Sequence, residues 1–245
     1  MADIVDQPHV ELQLDGRWHA MSPAEALEAL GVSEAGISSA EGAKRLAEHG
    51  ANAIAKGGGD TPLDILWRQI NNPLIYVLLG SGAVAIVMGK GLDGTVVLGV
   101  VVANALIGFI QEYRAGRAIE ALAAMVPDHS TVIRDGERVT ISARDLVPGD
   151  VVALASGDKV PADLRLLSLR NLQINEAPLT GESLPVEKVV AALPPESQLA
   201  DRRNCCYGGT LVTYGTGLAL VVATGAGTEL GRISAMLKEI GRAHV

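Results

Sequence analysis

Gln69-Ile70-Asn71-Asn72-Pro73-Leu74-Ile75-Tyr76-Val77-Leu78-Leu79-Gly80-Ser81-Gly82-Ala83-Val84-Ala85-Ile86-Val87-Met88-Gly89 contains no Asp, Glu, Lys, Arg or His. Its length matches the ~20 residues that an α-helix needs to cross a ~30 Å hydrocarbon layer. A second stretch without these residues, 94–111, falls within the ~17–25 residue range for a span. Only Lys90-Gly91-Leu92-Asp93 separates the two. So short a link predicts antiparallel neighbours, a hairpin whose long flanks lie on the same side of the membrane. Arg68 before it and Arg114 and Arg117 after it outnumber Lys90 in the turn, which places the flanks in the cytoplasm. The alternative is a pair of buried core helices, but residues 96–103 are apolar on every helical face and lack the polar stripe expected of one. Gly80, Ser81, Gly82 and Ala83 suit close helix packing, and no Gly-Lys-Ser or Gly-Lys-Thr follows to make a phosphate loop of them.

Working outward, a chain of 245 residues has room for one sizeable core, and its 48% hydrophobic content excludes disorder. A net charge of -8 leaves no basic surplus for gripping phosphate backbones, so nucleic acid is not an expected partner. Cys205 and Cys206 are adjacent, a spacing that fits neither a disulfide framework nor a zinc site, and they are read as buried filler in a reducing compartment. Residues 1–14 carry acidic groups without Lys or Arg, unlike a secretory signal. Ser22-Pro23-Ala24-Glu25 is a capping box with proline at the first helical position, closed by Gly31. The device recurs at Ser38-Ser39-Ala40-Glu41, with Ala43, Leu46 and Ala47 on one face and Gly50 as a stop. A small helical pair is predicted, with His49 a dipole-compensating end rather than a ligand.

Beyond the glycine-rich junction Lys56-Gly57-Gly58-Gly59, Asp60-Thr61-Pro62 offers a new helix start. After the hairpin, residues 111–125 keep a helical pattern, a stalk closed by Pro127. The period then changes. Residues 131–134 and 138–141 read as strands around the Asp135-Gly136 turn, and 151–154, 164–169 and 218–223 as further strands between Gly-rich punctuation. Residues 231–240 read as a helix with Ile233, Met236, Leu237 and Ile240 on one face.

Within the β-rich part, Leu172-Gln173-Ile174-Asn175-Glu176-Ala177-Pro178-Leu179-Thr180-Gly181-Glu182-Ser183-Leu184-Pro185-Val186-Glu187-Lys188 concentrates carboxylates, hydroxyls, a glycine and two prolines. Thr180-Gly181-Glu182-Ser183 resembles the actuator-domain loop of P-type cation-transporting ATPases. Pro148-Gly149-Asp150, Gly157-Asp158-Lys159-Val160-Pro161-Ala162-Asp163 and Pro185-Val186-Glu187-Lys188 match that domain in order. Asn104-Ala105-Leu106-Ile107-Gly108-Phe109 and Gln111-Glu112-Tyr113 resemble the family's hairpin, and the opening helical pair resembles the amino-terminal segment of its calcium-pump-like branch. Asn175 departs from the pattern, which often has an acid there.

The resemblance implies a mixed fold: a membrane α-helical hairpin, a mainly β cytoplasmic actuator-like domain (a distorted jelly roll) and a small helical amino-terminal segment. It also implies a role for the loop. In such pumps ATP phosphorylates an aspartate, and the actuator later brings its loop against the aspartyl phosphate so that water can attack. Glu182 is the expected general base, Gly181 permits close backbone approach, and Thr180 and Ser183 hold the glutamate and donate hydrogen bonds. No metal or cofactor site is expected in the chain itself; ATP and Mg2+ belong to the full-length parent.

The family's Asp-Lys-Thr-Gly-Thr does not occur, since Asp158-Lys159 continues into Val160-Pro161. The expected reading is an amino-terminal fragment, inactive alone. Its parts are 1–59, a cytoplasmic helical segment; 60–126, the hairpin with spans at about 69–89 and 94–111; 127–230, the actuator-like domain; and 231–245, a helix towards a missing third span with an artefactual or truncated end. Its expected setting is the plasma membrane of a bacterial-type cell, as part of a multi-pass protein with the amino terminus and actuator domain cytoplasmic. Its partners are the lipid bilayer, the missing phosphorylation, nucleotide-binding and transport domains, and a cation, calcium first, with sodium, magnesium or protons open. Two alternatives stand beside it: a naturally short, non-catalytic, membrane-anchored β domain that binds a pump or other membrane partner, and a soluble hydrolase using Glu182 and Asp163.

Overall fold

In the computed structural model, residues 17–53, 62–123, 125, 127–181 and 184–242 are described. Two short helices come first, α1 (Pro23–Ala29) and α2 (Ser39–His49). Each starts where its serine cap requires: the Ser22 hydroxyl accepts from Glu25 N while the Glu25 carboxylate takes Ser22 N, and Ser38 accepts from Glu41 N. Three further helices follow, α3 (Pro62–Ile70), α4 (Pro73–Val87) and α5 (Gly91–Ala123). The β part holds β1 (His129–Arg134), β2 (Glu137–Ser142), β3 (Val151–Ala155), β4 (Asp163–Asn175), the single turn α6 (Ala177–Thr180), β5 (Val186–Glu187), β6 (Cys205–Cys206) and β7 (Leu211–Ala223). The last element is α7 (Glu229–Arg242).

The seven strands make one antiparallel sheet in the order β2-β1-β3-β7-β4-β5, with β6 also paired to β4. Asp135 and Gly136 both have positive φ, 54° and 78°, the geometry a two-residue hairpin needs to follow the strand twist. β4 and β7 run much further than 164–169 and 218–223. Their outer halves are hidden in the sequence because the pairing slips between Arg170 and Gln173, where Asn171 takes φ 50° against Gly215. That bulge breaks the period-two pattern and bends the sheet. One face buries Val152, Leu154, Leu164, Leu166, Ala219 and Val221 in the main core; the alternate residues Val151 and Leu220 turn to the other face, with Leu167 joining them past a second bulge.

That second face is covered by the amino-terminal segment. Ala26 sits fully buried on it, with Trp18, Met21, Leu27, Leu30 and Val32 around it. Polar ties fix the layer. Arg45 donates to the carbonyls of Pro148 (3.0 Å) and Leu30 (3.1 Å), Asp135 accepts from Ser39 N and its hydroxyl, and Asn52 bridges Ala143, Pro161 and Gly225. The strongest tie is Arg165, fully buried on β4. Its guanidinium donates to five main-chain carbonyls, those of Trp18, Met21, Leu166, Val190 and Asn204, at 2.6–3.2 Å. Burial works against its charge, and the carbonyl dipoles compensate. Asn204 adds donations to His19 O and Ala191 O, both at 2.8 Å.

The first apolar run is not one rod. Pro73 cannot donate, Asn72 caps the new start by accepting from Leu74 N, and α3 meets α4 at a 63° bend. At 15 residues α4 extends about 22 Å, less than the ~30 Å hydrocarbon layer unless α3 contributes. α5 includes the stretch long and apolar enough to cross, Gly91–Arg114, which is largely exposed, and it continues unbroken into the stalk. α4 packs closely on α5 through Gly82 and Gly94: a Cβ on Gly94 would lie 2.8 Å from Gly82 O, whereas Gly80 faces open space. α3 crosses α5 where Glu112 accepts from Gln69 Nε2 and pairs with Arg68, both at 3.0 Å.

Arg165→Leu is expected to lower the unfolding free energy by about 3 kcal/mol or more, because it strands several carbonyls, and Arg165→Lys recovers less than half, because an ammonium cannot span them. Denaturant unfolding in detergent measures both. Asp163 gives a second expectation. It caps α7 by accepting from Glu229 N (2.7 Å) and also accepts from Gly208 N (2.9 Å), and burial pushes its carboxyl up to about 6. The folded chain therefore holds this proton more tightly than the unfolded chain. The contribution is full below the ordinary value of 3.8 and is lost as the pH rises from there through about 6. Across that window the stability advantage over Asp163→Asn is expected to shrink by up to about 3 kcal/mol, as read from unfolding midpoints at each pH.

Candidate functional site

β4 ends at Asn175, whose side chain accepts from Ala177 N at 3.0 Å and turns the backbone out of the sheet. Glu176 then roots α6: its carbonyl accepts from Leu179 N (2.9 Å), Thr180 N (3.0 Å) and the Thr180 hydroxyl (3.1 Å). Pro178 falls in the first turn, where a missing N–H costs nothing. Gly181 ends the turn in the left-handed region, φ 76°, its N–H donating to Ala177 O at 3.0 Å. A Cβ there would meet nothing within 4 Å, so the backbone conformation rather than crowding calls for glycine, and the space beside it is open to an approaching group.

Of the four expected site residues, Thr180 and Gly181 lie at the end of this turn, and Glu182 and Ser183 lie outside the described residues. The Thr180 hydroxyl proton goes to Glu176 O, so within the turn this side chain holds the backbone. Past the loop, Leu184 is 79% exposed, and β5 returns to β4 through the register pairs Gln173↔Glu187 and Ile174↔Val186. Asp163, the other carboxylate considered for hydrolysis, caps α7.

Beneath the loop lies a feature the sequence did not disclose. The Lys188 ammonium pairs with the Glu176 carboxylate and donates to Cys205 O at 2.7 Å, and both charged side chains are buried. The only signal was Glu176 next to the departure at Asn175, together with Lys188 at the end of the matching Pro185-Val186-Glu187-Lys188; nothing in a spacing of twelve residues announces a contact across a loop. The cysteines are buried and free in β6, and burial raises both thiols, Cys205 to about 11, which keeps them protonated and inert. Among the described residues no group of three or more His, Cys, Asp or Glu is placed to hold a metal ion.

Comparison with known proteins bears on the same regions. Residues 124–238 match the P-type ATPase actuator domain, and residues 18–85 match the amino-terminal region of cation transporter ATPases. A probable cation-transporting ATPase F of Mycobacterium tuberculosis is 49% identical over 210 residues, covering 86% of this chain and 23% of the relative. The cation-transporting ATPase pma1 of Synechocystis is 46% identical over 204 residues, 83% of this chain and 22% of that protein. A calcium-transporting ATPase of Bacillus subtilis is 36% identical over 227 residues, 92% and 26% respectively. The chain thus spans about a quarter of the length of the curated relatives it matches. With an antiparallel sheet carrying the Thr-Gly-Glu-Ser loop, a helical amino-terminal layer and matches to both regions, the chain belongs to the P-type cation-transporting ATPase family and carries its amino-terminal region and actuator domain.

Proposed function

We propose that this chain acts as the actuator part of an ATP-driven cation pump, where the loop 180–183 promotes hydrolysis of an aspartyl phosphate formed elsewhere in the protein. The observation that carries the reading is the loop's presentation: a turn rooted in β4, ended by a left-handed glycine with open space beside it and followed by an exposed leucine. Such a loop can be set against a second surface as a unit. Glu182 deprotonates and orients the attacking water, and Gly181, without a Cβ, lets the backbone approach a crowded phosphoryl group. Ser183 and Thr180 border the carboxylate. The acceptor aspartate, the sites for ATP and Mg2+ and the transport sites belong to parts of the pump that the chain does not span, so the chain alone does not turn over ATP.

The helices serve as the mechanical attachment. α5 runs from the apolar stretch into the stalk without a break, and α7 packs beside it, so a rotation of the sheet is transmitted to the membrane as helix displacement. α5 crosses the lipid bilayer with α3 and α4 as its bent companion, and Arg68, Arg114 and Arg117 mark the cytoplasmic end. The names of the relatives point to a cation as cargo, with calcium named for the Bacillus subtilis protein.

In a full-length pump carrying this chain, Glu182→Gln is expected to leave phosphorylation by ATP intact and to slow loss of the phosphoenzyme by about 10²-fold or more, the usual contribution of a positioned general base. Acid-quenched decay of the labelled phosphoenzyme is the measurement. Decay at the wild-type rate overturns the assigned role.

A further inference from the structure

Glu176 and Lys188 stand at the two ends of the loop and take no part in the hydrolytic step just described. Their charged side chains are 1% and 0% exposed. A buried ion pair is a poor source of net stability, since desolvation offsets most of the attraction and a well-packed apolar pair of similar size does as well. What buried pairs supply in some proteins is registry, since displacing one partner leaves the other charge uncompensated. Here the arrangement is tightly specified. The Lys188 ammonium is held by Cys205 O as well as by Glu176, and Lys188 N donates to Leu172 O at 2.9 Å. At the other end, the same Glu176 whose carboxylate meets the lysine accepts at its carbonyl from Leu179 N, Thr180 N and the Thr180 hydroxyl, closing α6 onto Thr180. The side chain fixes residue 176 in the domain, and its backbone fixes the turn that leads to Gly181.

Among the described residues, the strand pairing that closes the loop is short: β5 has two residues and makes two register pairs with β4. Restraint at the base of the loop lowers the ordering cost that docking would otherwise carry.

We infer that Glu176 and Lys188 are positioning residues for the actuator loop, their buried ion pair fixing the height and direction at which Glu182 is presented. This rests on the proposed hydrolytic role of Glu182, and the test separates the two. The full-length protein to use is a pump in which residues 18–238 of this chain replace the corresponding part of the 49%-identical Mycobacterium tuberculosis relative. Glu176→Gln/Lys188→Met removes the pair without leaving a lone buried charge.

Phosphorylation by ATP is expected at the wild-type level in Glu176→Gln/Lys188→Met, with phosphoenzyme decay slowed tenfold or more. Adding the double substitution to Glu182→Gln is expected to slow decay no further. In the present chain, amide hydrogen exchange is expected to accelerate at Gly181 and Leu184 while β4 and β7 keep their protection. Wild-type decay in Glu176→Gln/Lys188→Met alongside slow decay in Glu182→Gln overturns the positioning role alone; wild-type decay in Glu182→Gln overturns the hydrolytic reading beneath it. Exchange that accelerates uniformly across the sheet, with loss of phosphorylation by ATP, assigns the pair to general stability and also overturns the inference.

Discussion

Among the side chains that tie the layers of this protein together, with Arg45, Asp135 and Asn52, the guanidinium of Arg165 makes the most hydrogen bonds. Arg165 lies at zero exposure between the sheet, the 190–204 segment and the amino-terminal turn, and all five of its hydrogen-bond acceptors are main-chain carbonyls. No other side chain has five donors in a fixed plane, so no other residue can satisfy this site. The consequence reaches beyond one strand. Because Trp18 and Met21 are tied to β4, the apolar faces of α1 and the segment around it are delivered to Val151, Leu167 and Leu220, and the sheet becomes covered on both sides. A sheet so restrained moves as a unit, which is what a loop on one of its strands requires if motion of the domain is to carry it to a distant phosphoryl group.

The polar groups that matter are thus distributed by strand position along β4. Asp163, at its start, receives the N-terminus of α7; Arg165 fastens the amino-terminal layer; Asn175 and Glu176, at its end, launch the loop. Bulges let one strand serve these neighbours in turn, pairing first with β6 and then with β5 while running beside β7 throughout. The apolar helices are joined to this body by α5, and by α7 packed against it.

Local rules made much of this legible before any coordinates. The capped starts at Ser22 and Ser38 and the Asp135-Gly136 hairpin need only neighbours in sequence, and they form as expected. The hairpin of apolar helices was legible from composition, but its bend was not, since an uncharged run conceals the stop at Asn72-Pro73 unless the proline is weighed above the hydropathy. The outer halves of β4 and β7 were hidden by the bulge at Asn171 and Gly215. At the site, the motif residues were readable from resemblance. Arg165, Asn204 and the Glu176–Lys188 pair were not, because their roles come from partners far away in the chain: Arg165 reads as an ordinary strand charge until the carbonyl of Trp18 is beside it.

The central claim is that the loop is a preformed unit that docks on a phosphorylated aspartate elsewhere in the pump. Amide hydrogen exchange of residues 179–187 in the full-length protein, with and without a fluoroaluminate group held at that aspartate as a phosphoryl mimic, addresses it most directly. The account predicts that exchange at Gly181 through Leu184 slows strongly when the mimic is bound, while β4 is unchanged. Equal exchange in the two states would contradict it.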